Sequence, residues 1–482
     1  MRRFVPHLLL ILLGLVWLGV AGFRQLNFDE GLALRAGFLL WAAEGGRPTF
    51  LMPWTAALGL FAHRVERASL LVPAARWLVA LAVAVCWWRL LQAVGLKRWG
   101  QVGVSFLLAT NGVFVSHGFE LRYDAVLLLG SLLATELLLV QRLGSAFGAV
   151  VGLLALHHLK GLGLAVGFVA LAWLGSRAWG LPSPNWKRFG TGLGSVLFGW
   201  ILVLSVSGLL GRWADTVREN LTQWSRARRV PVHEALGPVL LQDAAWWLLV
   251  VWGLLVGFRA VFRVRPEAED GEGPLPLPAV FNILTTVSLL TIGFWLLHPH
   301  PWAYLAALPA PFLSLAAGYG LRQMSPFYRW GTAGLALAFL GLQAAQGSLP
   351  AAAWLRALQH PLQPQLLLVD ELRKALNPGE RVLDPTGLVY FAPSCSQEWY
   401  VDTLFAPRVS QGTWMQELSD GVPESCVVAL VSYRLGWLPP AAQQTLRQEF
   451  VFLPCGLAWR KGRPIPQTIA SLPGAGKVEN FW

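Results

Sequence analysis

Apolar runs long enough to cross a bilayer recur along this chain near residues 8–23, 73–95, 99–115, 125–140, 189–211, 244–262, 279–297, 302–320 and 330–347. A crossing needs about 20 apolar residues, and lipid leaves every backbone N–H and C=O to be satisfied inside the segment. Runs of this length therefore predict helices, and so many of them predict a polytopic α-helical membrane protein. Charged residues make up 13% of the chain, against roughly 25% in soluble proteins. The net charge of +12 raises the question of nucleic acid. Its basic residues, however, sit singly between apolar runs and form no stripe, so they read as topology signals and no nucleic-acid partner is expected.

Met1-Arg2-Arg3 leads into the apolar run Leu8–Phe23 with no small-residue cleavage site before Asn27. An uncleaved first span and a cytoplasmic N-terminus follow. The stretch Leu143–Leu174 decides the parity. As one helix it would bury His157, His158 and Lys160 at mid-membrane, a costly place for an ionised group. As two short helices, each of about 14 residues and about 21 Å, it puts them at a membrane face. About eleven spans result. The short cytoplasmic loops then hold Lys97, Arg98, Arg142, Arg177, Lys187, Arg188, Arg263, Arg265, Arg322 and Arg329, while the short outer loops hold only Arg122 and Lys160. That matches the positive-inside pattern of a multi-pass protein of the cell (inner or plasma) membrane. Two longer outer segments, 24–76 and 212–243, are also basic.

Composition changes after Ser348. A helical pattern over Leu366–Leu376 stops at Asn377-Pro378-Gly379, and β-rich runs follow at Arg381–Leu383, Leu388–Phe391, Cys426–Ser432 and Phe450–Leu453. The expected organisation is a transmembrane domain at 1–347, with a large first outer loop at 24–72, and an extracytoplasmic α/β domain at 348–482. Cys395, Cys426 and Cys455 lie in that tail. An oxidising compartment allows one disulfide and leaves one thiol. No cysteine or histidine spacing suggests zinc.

The candidate chemistry collects on the outer face. Asn27-Phe28-Asp29-Glu30 opens an amphipathic stretch to Trp41 that is too short to span and is expected along the membrane surface. Locally, Asn27 with Glu30 is a capping box, and Asp29 suits the helix dipole. The functional reading is a carboxylate beside Arg35, able to accept a hydroxyl proton or hold a divalent cation. A second acid, Asp124, follows Arg122 and Tyr123 at the start of the fourth run. It can cap that helix, or share a site with Asp29 that holds a cation or suits a phosphate-leaving reaction. His157, His158 and Lys160, together with His298 and His300, add donors for a phosphate at headgroup depth. Arg226, Arg228 and Arg229 after Trp224 suit anionic lipid headgroups or a lipid-linked donor. No Walker-type glycine pattern accompanies these loops.

In these features the sequence resembles the GT-C superfamily of membrane glycosyltransferases, and most of all its protein O-mannosyltransferase and bacterial aminoarabinose-transferase branch. The likeness rests on Asp29-Glu30 opening the loop, its closure by His63-Arg64-Val65-Glu66-Arg67-Ala68 and Ala75-Arg76, the Arg122-Tyr123-Asp124 turn, and Lys160-Gly161. Trp302-Ala303-Tyr304-Leu305 with Pro309 and Pro311 is similar to the family's late Tyr/Pro-rich helix, and the whole covers residues 1–347. The resemblance implies a polyprenyl-phosphate-linked sugar donor, transfer on the outer side, and Asp29 near the acceptor. Catalytic candidates are accordingly Asp29, Glu30 and Asp124, and donor-phosphate candidates are Arg35, Arg122, Lys160, His298, His300 and Tyr304. Where aminoarabinose transferases resemble Lys-Pro-Pro, this chain has Leu51-Met52-Pro53-Trp54, so a lysine contact to donor phosphate is missing and Arg35, Lys160 or His298 would have to compensate.

An inverting glycosyltransferase acting on a lipid, glycan or protein hydroxyl is the resulting expectation. A transporter or flippase is the first rival, but it should show inverted repeats and polar groups at mid-membrane. A non-enzymatic membrane scaffold is the second; it should tolerate alanine at Asp29 and Asp124.

Overall fold

A computed structural model describes residues 5–41 (save 25 and 27), 53–211 (save 158), 213–215, 217–218, 222, 231–263, 275–298, 303–322, 334, 362–396, 412 and 414–472. The expected crossing at 330–347, apart from residue 334, lies outside these, as do Arg226, Arg228 and Arg229 of the loop segment 212–243. The chain is a polytopic helical membrane protein with a C-terminal domain. Among the described residues six helices are long and apolar enough to cross a membrane: Val5–Gly22, Ala68–Ala93, Lys160–Ala178, Trp186–Val206, Ala244–Val261 and Leu277–Leu296. Shorter apolar helices accompany them at Ser145–His157, Val232–Leu241 and Ala310–Leu321.

In chain order the helices are α1 (Val5–Phe23), α2 (Phe28–Trp41), α3 (Pro53–Arg64), α4 (Ala68–Ala93), α5 (Arg98–Ala109), α6 (Gly112–His117), α7 (Tyr123–Leu139) and α8 (Ser145–His157). Then come α9 (Leu159–Ala178), α10 (Trp186–Val206), α11 (Val232–Gln242), α12 (Ala244–Arg263), α13 (Leu277–Leu296), α14 (Ala310–Leu321), α15 (Leu362–Ala375) and α16 (Pro440–Glu449). They group into two compact units. One comprises Met1–Ala21, Trp77–Gly208 and Arg228–Arg356; the other comprises Gly22–Arg76, Leu209–Ala227 and Ala357–Trp482.

In the first unit, the stretch Leu143–Leu174 forms two helices, α8 and α9, as the sequence suggests. The run at 99–115 is not one crossing. It breaks into α5 and α6 at Asn111, whose side chain accepts from Phe114 N at 2.6 Å. Asp243 satisfies the two preceding donors, Gly112 N at 3.0 Å and Val113 N at 3.3 Å, so the interrupted backbone keeps its partners. The run at 302–320 is also interrupted, into a 3-10 helix (Ala303–Ala307) and α14, with Pro309 at the N-cap of α14. Proline has no N–H to continue the first segment and a fixed φ that suits a helix start. Helices α8 and α10 meet at Gly148 and Gly192, where an added Cβ would lie 2.1 Å from Phe189 O or 2.0 Å from Ser145 O. Such small-residue contacts are how helices approach when lipid removes the hydrophobic drive between them.

In the second unit the tail forms a four-stranded sheet in the order β1-β2-β4-β3, from β1 (Arg381–Leu383), β2 (Cys426–Leu430), β3 (Phe450–Phe452) and β4 (Leu457–Arg460). Strands β1 and β2 run parallel, and β4 is antiparallel to both β2 and β3. The strand expected at Leu388–Phe391 is instead a turn, because Asp384 accepts from Thr386 N at 2.8 Å and Val389 N at 2.6 Å and folds the chain back on itself. Cys395 and Cys426 form a disulfide, and Cys455 is the buried remaining tail thiol.

Helix α2 does not have the two faces of a surface helix. Residues 30–39 are all buried, with Leu32 and Leu39 in one core with Leu383, Trp414, Cys426, Leu446 and Ala458. The small residues Gly31, Ala33, Ala36 and Gly37 permit this enclosure. A Cβ on Gly37 would meet Thr55 O of α3 at 2.1 Å. The loop and tail are tied further by Leu26 N to Gln365 Oε1 (2.9 Å) and by Ala68 N to Asp370 Oδ1 (2.6 Å).

Candidate active site

Residues 118–122 turn the chain between α6 and α7 in the first unit and assemble alternating charges. His117 Nδ1 lies 2.7 Å from Glu120 Oε1, and Arg122 donates to Glu120 Oε2 at 3.2 Å. The other arm of Arg122 reaches Asp124 Oδ2 at 2.8 Å. Tyr304, from the 3-10 helix, covers the guanidinium, with Arg122 Cζ 3.5 Å from the ring centroid. Paired with two carboxylates and an aromatic face, the buried guanidinium has most of its charge compensated.

A small cleft, with a volume of about 20 Å³, lies against this cluster. Its polar wall is His117, Glu120, Asp124 and Tyr304; its apolar wall is Ala125, Leu127, Leu128, Leu305, Ala307 and Leu308. The apolar side continues into a core of Val113, Val239, Trp295 and Leu305. One cleft thus offers both charged and hydrocarbon side chains. That combination suits a lipid carrying a polar head.

Lys160, buried near the start of α9, donates to Tyr123 Oη at 2.9 Å, and its Nζ stands 4.9 Å from that ring's centroid. His298 follows α13 and is half-buried, while His300 and Trp302 lie outside the described residues. Among the described residues no three His, Cys, Asp or Glu side chains converge as metal ligands.

The second unit holds the other sequence candidates. Asp29 is half-buried in the first turn of α2. Glu30, beside it, is closed from solvent and bound by Arg76 through Nε at 2.8 Å and Nη2 at 2.5 Å, with Arg24 Nη2 at 3.1 Å. Asn27, the other half of the expected capping box, lies outside the described residues. Arg35 is fully buried too: it donates to Ala392 O at 3.0 Å and has Asp384 Oδ2 at 4.0 Å. Burial pulls the Arg35 guanidinium down to about 10, with Asp384 opposing the shift. Both residues are thus built into the packing of their unit.

Sequence reasoning assigned no part to His117 or Glu120, nor to Arg24, Arg76 or Asp384 as charge partners. The Glu120-Leu121-Arg122-Tyr123-Asp124 alternation was the available signal for the first pair. No local pattern connects Glu30 with Arg76, or Arg35 with Asp384.

No family model and no curated protein sequence matches the chain. Solved structures do. The crystal structure of ArnT from Cupriavidus metallidurans in the apo state aligns with a TM-score of 0.61 over 95% of this chain and 97% of that one, at 16% identity. This chain has a GT-C fold. The structure of ArnT from the same organism bound to undecaprenyl phosphate aligns with a TM-score of 0.58 over 89% of this chain and 93% of that one, again at 16% identity. ArnT is a GT-C aminoarabinose transferase. Within the GT-C fold, the Arg122 cluster belongs to the membrane helices and the Glu30–Arg76 pair to the unit containing the tail.

Proposed function

We propose that this chain is an inverting glycosyltransferase that moves a sugar from a polyprenyl-phosphate donor to a hydroxyl acceptor on the extracytoplasmic side of the membrane. The observation that carries the reading is a cleft of mixed polar and apolar lining in a GT-C fold, since a phosphate head can meet the polar groups while its prenyl chain meets the apolar ones. Undecaprenyl phosphate, the ligand of the ArnT crystal structure, has that chemistry. The Cys395–Cys426 disulfide supports an oxidising, extracytoplasmic compartment for the tail, with the N-terminus cytoplasmic.

Asp29 acts as the base in this reading. It takes the acceptor's hydroxyl proton as that oxygen attacks the anomeric carbon and the bond to phosphate breaks. Lys160, Arg122, Tyr304, His298 and His300 supply the positive and hydrogen-bonding groups for the departing phosphate, and Asp124 fixes Arg122. Glu30 and Arg35 take structural parts, because their charges are held inside their own unit.

Asp29→Asn tests the reading, because the amide caps a helix about as well as the acid but accepts no proton. Transfer from a defined prenyl-phosphate sugar to an acceptor, read as release of prenyl phosphate, should fall by about 10² to 10⁴. The folded yield should stay unchanged. Near wild-type transfer by the variant would return Asp29 to helix capping. A wild-type chain that only moves such lipids between leaflets would favour the flippase.

A further inference from the structure

We propose that His117, oriented by Glu120, is the proton-carrying catalytic residue of the cleft: it is protonated when the donor's phosphate enters and passes that proton to the departing phosphate. The inference rests on the donor reading above and adds a second proton-transfer group to it.

Three observations support it. Glu120 is buried, with one oxygen 2.7 Å from His117 Nδ1 and the other held by Arg122 at 3.2 Å, so the carboxylate is fixed and the imidazole with it. Such a partner keeps the proton on Nδ1 and commits Nε2 to the ligand. The ring is 32% exposed on the cleft wall, while Glu120 is only 3% exposed and has its oxygens engaged by His117 and Arg122, so His117 is the more accessible of the two to a bound molecule.

Charge supplies the third. Among the described residues, the charged groups facing His117, or joined to its neighbours, are Glu120, Arg122 and Asp124 beside the cleft, Lys160 through Tyr123, and Asp243 at the other end of α6; the Tyr304 ring also faces the imidazole. Beside the cleft itself two carboxyls, Glu120 and Asp124, stand against one cation, Arg122. With a neutral imidazole this wall is net negative and repels a phosphodiester. One proton on His117 removes the excess, so anion entry and proton uptake are linked. Histidine can make this change between about pH 5 and 8.

In the transfer step the acceptor oxygen bonds to the anomeric carbon, and the electron pair of the broken carbon–oxygen bond goes to the phosphate. His117 Nε2 gives its proton to that phosphate. Asp29 holds the acceptor's proton and releases it to water, and His117 recovers one from water, so no co-reactant is needed.

The test uses purified full-length protein and a polyprenyl methyl phosphodiester, a constant monoanion without a sugar to transfer. Its Kd is measured by titration from about pH 5.5 to 8.5, the range in which histidine changes charge. The wild type should bind about tenfold more weakly per pH unit on the alkaline side, the slope of one linked proton. His117→Gln should bind with a flat profile and should lose about 10² to 10⁴ in kcat. Glu120→Gln should flatten the profile partly, which provides a second variant. A flat wild-type profile, or a slope that persists in His117→Gln, overturns the proposal while leaving the donor reading intact. Absence of diester binding at every pH overturns both.

Discussion

Replacing Arg76 with methionine should expose how Glu30 is used. Glu30 is 0% and Arg76 1% exposed, and two charge-assisted hydrogen bonds of 2.8 and 2.5 Å join them. Methionine keeps the apolar stem and removes both of these donors, leaving the buried carboxylate with Arg24 Nη2 at 3.1 Å. Breaking a buried ion pair from one side costs about 3 to 5 kcal/mol. Because Arg24 remains, the lower end of that range is expected, and Glu30→Gln should cost a similar amount. The double variant should cost less than the two singles together, with a coupling of about 1 to 3 kcal/mol. Equilibrium unfolding of the detergent-solubilised chain, followed by tryptophan fluorescence, gives all four corners of this cycle. Wild-type stability in Glu30→Gln together with lost transfer would refute the reasoning and make Glu30 a reacting group.

Replacing Cys395 and Cys426 with serine should lower stability by about 2 to 4 kcal/mol; Cys455, whose thiol burial pushes up, should resist alkylation until the tail unfolds. A gain or no change in the serine variant would count against the bridge. Gly37→Ala should abolish folded yield, because its Cβ would sit 2.1 Å from Thr55 O, a backbone atom that cannot rotate away. Normal expression and a normal elution profile for that variant would count against the α2–α3 contact.

The sequence made the membrane class legible because lipid imposes one rule, internal satisfaction of the backbone, that long apolar runs obey. It also revealed the break after His157, since three ionisable residues, His157, His158 and Lys160, would be costly at mid-membrane. The interruption at Asn111 escaped because its repair comes from Asp243, more than a hundred residues away. Helix α2 misled for a related reason. Its polar residues Glu30 and Arg35 resemble a water-facing side, yet their partners Arg76 and Asp384 are distant in sequence and let both be buried. Asp124 and Arg122 were readable because turn residues that alternate in charge are close in the chain itself. His117 carries no such signal, since a lone histidine says nothing until a carboxylate is seen 2.7 Å from its ring. Strand β4 and helix α16 were missed as short elements that tertiary packing, more than local pattern, defines.

A map of bound lipid tests the central claim most directly. Full-length protein in lipid nanodiscs, saturated with a prenyl phosphate, should show phosphate density within about 3 Å of the His117 ring, in the cleft that Asp124 and Tyr304 also line. The chain should run along Leu127, Leu128 and Leu308. A saturated sample with the cleft empty and the lipid phosphate bound elsewhere would contradict the assignment of this cleft to the donor.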